Sequence, residues 1–342
     1  MTKRKLVQRL SLVIALFVVA GIIIVWRLFF SPVMASVEGT DIYIGKSAVY
    51  EDVKDSLRVK GIVVNETAFD LLAKRKRYIS SIKPGRYVIT EDMTNNDIVN
   101  LLKSGSQSPV RITFNNIRTL SELSQRLSNQ LAADSAEIHR ALLDESLYES
   151  EGFSRETIIA AFIPDTYEVY WTITPAELVG RMIREFRSFW NEERLKKAID
   201  LGLKPVEVSI LASIVDDEVL KEDEKTMIAG VYINRLKKNM LLQACPTIKF
   251  ALNDFTIRRV LKEHLEVDSP YNTYIHTGLP PGPVRCASKS GIKAVLNAED
   301  HDYLYFVARH DFSGYHHFST NLRDHINYAN RYHLELDRLD IY

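Results

Sequence analysis

PVEVSILASIVDDEV, residues 205–219, begins with a proline where a helix tolerates one and runs through a largely apolar stretch into three consecutive carboxylates, Asp216, Asp217 and Glu218. At about 100° per residue with Leu211 as the reference direction, Ile214 falls at about 300°, Val208 at about 60°, Val215 at about 40° and Val219 at about 80°. Glu218 falls at about 340°, on that apolar side, whereas Asp216 and Asp217 fall at about 140° and about 240°. Such a helix belongs to the core of a sizeable domain. A glutamate on its inward side loses solvation of its charged form, so its pKa is expected to rise from about 4.3 toward about 6. At pH 7 that lifts the protonated fraction from roughly 0.2% to roughly 10%, which matters to a general acid. The competing reading is a rim glutamate paired with an arginine or lysine.

The whole chain is long enough to hold that domain and more. Its 342 residues are 46% hydrophobic, material for roughly two domains, and the class is α+β. Lysine plus arginine and aspartate plus glutamate both number 44, so no net field favours a polyanion, and nucleic acid is not an expected partner. The cluster KRKR at 74–77 reads as a solvated face. No cysteine–histidine spacing matches a zinc site, and neither a metal nor an organic cofactor is expected.

At the N-terminus, Lys3, Arg4, Lys5 and Arg9 precede an uncharged stretch from Leu10 to Trp26 that continues through Arg27 into LFFSPV. Residues 10–30 read as a transmembrane anchor behind a cytoplasmic basic tail, 1–9, which places the rest of the chain outside the inner membrane, in the periplasm. VMAS, 33–36, is a poor signal-peptidase site, which favours an uncleaved anchor. In that oxidising compartment a disulfide between Cys245 and Cys286 is permitted but not implied.

Residues 40–110 read as strand, helix, helix, strand, helix: DIYIG, SAVYEDVKDSLRVKG, ETAFDLLAKRK, GRYVIT behind Pro84-Gly85, and TNNDIVNLLKSG. SGSQSP, 104–109, reads as a linker to a larger mixed region, 111–342. In that region VRITF is strand-like, and TLSE and TPAE open helices with capping boxes. In AAFIPDTYEVYW, 160–171, Pro164 stops any helix and four aromatics cluster.

The segments SIVDDE, AGVYINRLKKNMLLQACPT, SPYNTYIHTGLPPGPV and YLYFVARHDFSGYHHFSTNLRDHINYANRYH, with IPDTYEVY and IKPGRYVIT, closely resemble the MltG (YceG-like) family of membrane-anchored endolytic murein transglycosylases. The resemblance implies a LysM-like module at 40–110, a catalytic domain at 111–342, and cleavage of peptidoglycan between N-acetylmuramic acid and N-acetylglucosamine with 1,6-anhydro ends. It also implies action on glycan strands at the inner membrane beside penicillin-binding synthases. The family's SIVEKE reads SIVDDE here, so its catalytic glutamate corresponds to Glu218 and its first acid to Asp216. Asn234, Gln243, Tyr271, Asn272 and Tyr274 are the candidate substrate contacts, being polar groups able to hold hydroxyl and acetamido groups. GLPPGP, 278–283, reads as a cleft wall, and Cys245 stands where the family commonly has aspartate. His316, His317 and His325 lack metal-ligand spacing, and adjacent histidines on a strand face opposite ways. Two rivals stand beside this reading: a serine enzyme using SSIK, 80–83, and a tethered, non-catalytic wall-binding scaffold.

Overall fold

The computed structural model describes residues 3–30, 32, 39–62, 65–219 and 221–339. The chain divides into two compact units, one of residues 1–112, 130–132 and 168–173, the other of 113–129, 133–167 and 174–342. The first carries α1 (Lys3–Phe30), β1 (Thr40–Ile44), α2 (Tyr50–Val59), α3 (Glu66–Arg75), β2 (Gly85–Ile89) and α4 (Asn95–Ser104). β1 and β2 pair antiparallel from Thr40 opposite Ile89 to Ile44 opposite Gly85, which turns Ile42, Ile44, Tyr87 and Ile89 to one face. On that face pack Val53 and Leu57 of α2, Phe69 and Leu72 of α3, and Ile98, Val99 and Leu102 of α4. Each such side chain stabilises the fold by about 1.5–3 kcal/mol before chain entropy is counted. Arg86 grips Asp41 through Nε and Nη2 at 3.0 and 2.9 Å, a diagonal cross-strand pair that fixes the register. α4 starts at a Thr94–Asp97 capping box and ends at Gly105, whose φ of 73° is left-handed.

The SGSQSP stretch is not a loose tether. Ser108 N–H donates to Arg86 O at 2.7 Å, and Gln107 Oε1 accepts from Thr172 Oγ1 at 3.1 Å, so it is stitched into the first unit. Among the described residues no helix is long and apolar enough to cross a membrane. Within α1 the unbroken run of described side chains is 10–24, and it is exposed; the side chains of Lys3, Arg4, Lys5 and Arg9 and the VMAS segment lie outside the described residues.

The remaining elements are β3 (Val110–Thr113), α5 (Leu120–Ser128), α6 (Ser135–Leu143), β4 (Thr166–Val169), α7 (Pro175–Phe189), α8 (Glu192–Asp200), α9 (Pro205–Glu218), α10 (Lys225–Lys237), α11 (Cys245–Ala251), α12 (Lys289–Leu296), β5 (Tyr305–Ala308), β6 (His316–Ser319) and α13 (Leu322–Arg338). β3 pairs with β4 and β5 with β6, so the helices supply most of the core. α7 opens at the expected Thr174–Glu177 box. At α5, Thr119 caps Glu122 N–H, but the Glu122 carboxylate turns to Arg118 N–H at 2.9 Å rather than closing a box.

α9 is the centre of the second unit, with every residue from Val208 to Val215 buried. Two serines inside it are satisfied locally: Ser209 donates to Pro205 O, and Ser213 donates to Ile210 O while accepting from Val284 N–H. α9 is therefore enclosed on all sides and is not an amphipathic surface helix with a single apolar stripe. α10, α11 and α12 pack against it.

Candidate active site

Helical phase sets Asp216 and Asp217 away from the apolar side, yet both side chains are enclosed, at 5% and 11% exposure. What separates the three acids is their partners. Asp216 takes Lys225 Nζ at 2.8 Å, Ser288 N–H at 2.7 Å and Ser288 Oγ at 2.9 Å, joining α9 to the starts of α10 and α12. A Cβ on Gly291 would stand 2.5 Å from that carboxylate, so glycine is required there by close approach. Asp217 Oδ1 accepts from Arg118 Nη2 at 2.6 Å and Arg285 Nη1 at 3.0 Å. Both aspartates are structural anions, held in place by cations.

Glu218 forms no ion pair with any described residue. It ends α9, after which Val219 leaves the helix with φ −118° and ψ 125°. Its Oε1 accepts from Tyr232 Oη at 3.2 Å and from the Cys245 backbone N–H at 3.1 Å. Oε2 has no partner among the described residues. Burial of the carboxyl, reinforced by the Asp217 charge and opposed by the Tyr232 and Cys245 bonds, pushes its pKa up to about 7. The negative end of α9's dipole acts in the same direction. Because two donors require Oε1 to be an acceptor, a proton on this carboxyl sits on Oε2. The residue remains partly exposed, so that proton is not sealed in.

The surroundings come from two residues of α10 that sequence reasoning did not assign a role. Tyr232 is buried in α10 and its phenol is pushed well above its ordinary pKa by burial, so it donates and stays neutral. Arg235, one turn on, donates from Nε to Leu304 O at 2.6 Å and from Nη1 to Leu241 O and Leu242 O at 2.9 Å, which holds the loop leading to Cys245. An arginine and a tyrosine inside the apolar run AGVYINRL were the available signal.

Of the expected substrate contacts, Tyr274 meets the side chain of Cys245, its Oη 3.4 Å from Sγ. Gln243 is exposed, with φ at 52°, its Oε1 accepting from Arg235 Nη1 at 3.3 Å. Tyr271 packs against Phe250 with ring centroids 4.6 Å apart and the planes tilted by 42°. The Asn234 amide donates to His301 O and Tyr303 O at 2.6 and 3.1 Å. Asn272 is fully buried, donating to Leu265 O and Val267 O at 2.9 Å and accepting from Tyr274 N–H. Both cysteines are free, and burial raises the Cys245 thiol to about 11.

A cavity of about 440 Å³ is lined among others by Phe250, Asn253, Tyr271 and the Arg118 that binds Asp217, and Glu218 is not among its lining residues. A larger one of about 900 Å³ surrounds Pro205 at the far end of α9, about 20 Å away along the helix, and does not include the acid. Leu279, Pro280 and Pro281 line the larger and Pro283 the smaller, so GLPPGP is a wall to both. A Cβ on Gly282 would meet Glu156 O at 2.1 Å, hence the glycine. His316 binds Glu224 at 2.8 Å, while His317 stacks on Tyr328 from the opposite face of β6. Among the described residues no group of three or more histidine, cysteine, aspartate or glutamate side chains could hold a metal ion. Ser80 of SSIK donates to Arg77 O at 3.3 Å on an exposed turn.

The chain is similar to a Bacillus subtilis (strain 168) protein named endolytic murein transglycosylase, 28% identical over 295 residues that are 81% of this chain and 80% of that one. A Streptococcus pneumoniae (serotype 2, strain D39) protein of the same name is 28% identical over 311 residues, 80% of this chain and 55% of its own length. The crystal structure of a YceG-like protein from Listeria monocytogenes superposes with a TM-score of 0.57 at 25% identity, covering 85% of this chain and 98% of that one. The model of the YceG-like family matches residues 42–331, and the chain belongs to that family.

Proposed function

We propose that this protein is a lytic transglycosylase that cleaves peptidoglycan glycan strands endolytically with Glu218 as its single acid and base. The observation that carries the reading is a carboxyl free of ion pairs, with Oε1 held by two donors and a pKa of about 7. A pair-based glycosidase needs a second carboxylate as nucleophile or base. Here the neighbouring aspartates are committed to Lys225, Arg118 and Arg285. One group must serve twice. Oε2–H protonates the oxygen joining N-acetylmuramic acid to N-acetylglucosamine, and that C–O bond breaks. The carboxylate then takes the proton of the muramyl C6 hydroxyl as its oxygen closes on C1, leaving a 1,6-anhydro ring and consuming no water. A pKa near the working pH keeps both forms accessible. Named homologues with this activity support the reading.

The strand–helix–helix–strand order of the first unit supports a LysM-like glycan-binding module at 40–110, and the N-terminal apolar run supports an anchor in the inner membrane with the catalytic unit outside. An enzyme so tethered acts on strands near the synthases that make them. The test is digestion of purified murein with wild type and Glu218→Gln, followed by mass spectrometry of the ends. Anhydro ends from wild type alone are expected. Binding without any anhydro product would replace the enzyme with the scaffold reading.

A further inference from the structure

Resting on the transglycosylase reading, we propose that the cavity of about 440 Å³ beside the acid holds the carboxylate-bearing peptide stem of the muramyl residue being cleaved. Its walls include Arg118, Arg155, His139, Asn253, Phe250 and Tyr271.

Two separate tethers place it next to Glu218. Arg118 reaches Asp217, the residue preceding the acid, at 2.6 Å. Phe250 sits on α11, five residues after the Cys245 whose N–H grips Glu218, about 7.5 Å of helix rise. A sugar with its C1 at Oε2 therefore has this cavity as its neighbour.

The charge of the cavity selects the ligand. Arg118 and Arg285 share the one carboxylate of Asp217, which leaves a positive charge uncompensated. Arg155 is exposed and has no hydrogen-bonding partner among the described residues; the neighbouring Glu156 carboxylate, held below its ordinary pKa by Ser154 Oγ at 2.8 Å, offsets one guanidinium charge in the wall and leaves the excess charge of the Arg118–Arg285–Asp217 group. The glycan backbone itself is neutral. In peptidoglycan the anionic groups are the carboxylates of peptides joined to the lactyl group of muramic acid, and guanidinium forks match carboxylates. The tilted Phe250–Tyr271 pair offers an apolar surface for the stem's short side chains.

The test compares intact murein with the same polymer whose stem carboxylates have been converted to neutral amides by a carbodiimide and ammonia, counting anhydro ends per unit time. Wild type is expected to cleave the intact polymer about fivefold faster, the reach of one solvent-accessible ion pair. In Arg155→Ala that ratio falls toward one, and Arg155→Lys restores part of it. A wild-type ratio near one, or a ratio that Arg155→Ala leaves in place, overturns the stem site while leaving the transglycosylase intact. Anhydro ends from neither polymer with wild type sink both.

Discussion

Asp216 and Glu218 are two residues apart on one helix end, both enclosed by protein, and they do opposite things. Asp216 has a buried ammonium and two serine donors against it, so its charge is its function. Glu218 has a phenol and one backbone N–H, both on the same oxygen, so its charge is only half supported. Enclosure therefore does not make an acid; enclosure without a cation does. The same residue class gives a fastener in one place and, in the mechanism we propose, a proton donor in the other because of what the neighbouring helices bring.

The largest expected effect breaks the Glu218 side of that contrast. Glu218→Gln keeps an oxygen for the Tyr232 and Cys245 donors and removes only the proton, so cleavage should fall by about 10³-fold, read as anhydro ends. The same variant should be the more stable protein in alkaline solution. The folded carboxyl holds its proton up to about pH 7 and an ordinary one to about 4.5, so this group's contribution to wild-type stability is full below about 4.5 and is lost as pH rises through 7. Glutamine has no such loss. Urea melts at pH 8 should show a gain on the order of 2 kcal/mol, vanishing near pH 4. Equal stability at both pH values would mean that the carboxyl is not desolvated.

Next in size is the fastener. Asp216→Ala leaves the Lys225 ammonium, itself 7% exposed, without its buried partner, and should cost about 3 kcal/mol in the same melts. Replacing both partners with apolar residues of similar volume should cost less than either single change. If Asp216→Ala instead melts like wild type but loses all cleavage, the division of labour between the two acids is wrong.

Much of this was legible in the sequence, and the illegible part has a physical cause. Period and punctuation gave the strand–helix–helix–strand order of 40–90 and the helix from Pro205, because local sterics set those. Helical phase singled out Glu218 but for a weak reason: α9 is buried all round, so direction does not sort its acids. The sorting is done by Lys225, Arg118 and Arg285, and by Tyr232 and Cys245, contacts that span up to 99 positions and obey no local period. Asn234 and Asn272 illustrate the same limit. As sugar-binding amides or backbone braces they look alike in a string of letters, and only coordinates show their amides occupied by carbonyls.

Tyr232→Phe sharpens the comparison without removing the acid. The phenol bond stabilises the carboxylate, so its loss should raise the Glu218 pKa further and move the alkaline limb of the pH–rate profile to higher pH. The rate at neutral pH should drop by about fivefold, the worth of one hydrogen bond. A profile that keeps its shape while losing height would assign Tyr232 to packing alone.

The smallest effect is expected at Cys245, and it isolates which part of that residue matters. The bond to Glu218 comes from the backbone N–H, while the thiol faces Tyr274 Oη at 3.4 Å and is held protonated by burial, with its pKa near 11. Serine preserves the backbone donor and offers Tyr274 a comparable partner, so Cys245→Ser should change cleavage by no more than about twofold. Aspartate at the same position sets a second carboxylate beside Glu218. Like charges there disfavour ionisation, so Cys245→Asp should carry the alkaline limb upward, as Tyr232→Phe does but through repulsion rather than a lost donor. Raising the salt concentration separates the two causes, because screening weakens the repulsion and leaves the missing phenol bond unchanged. A Cys245→Asp profile that matches wild type at low salt would show that this carboxylate takes its own cation, and that Glu218 is insulated from its neighbour just as it is from Asp216.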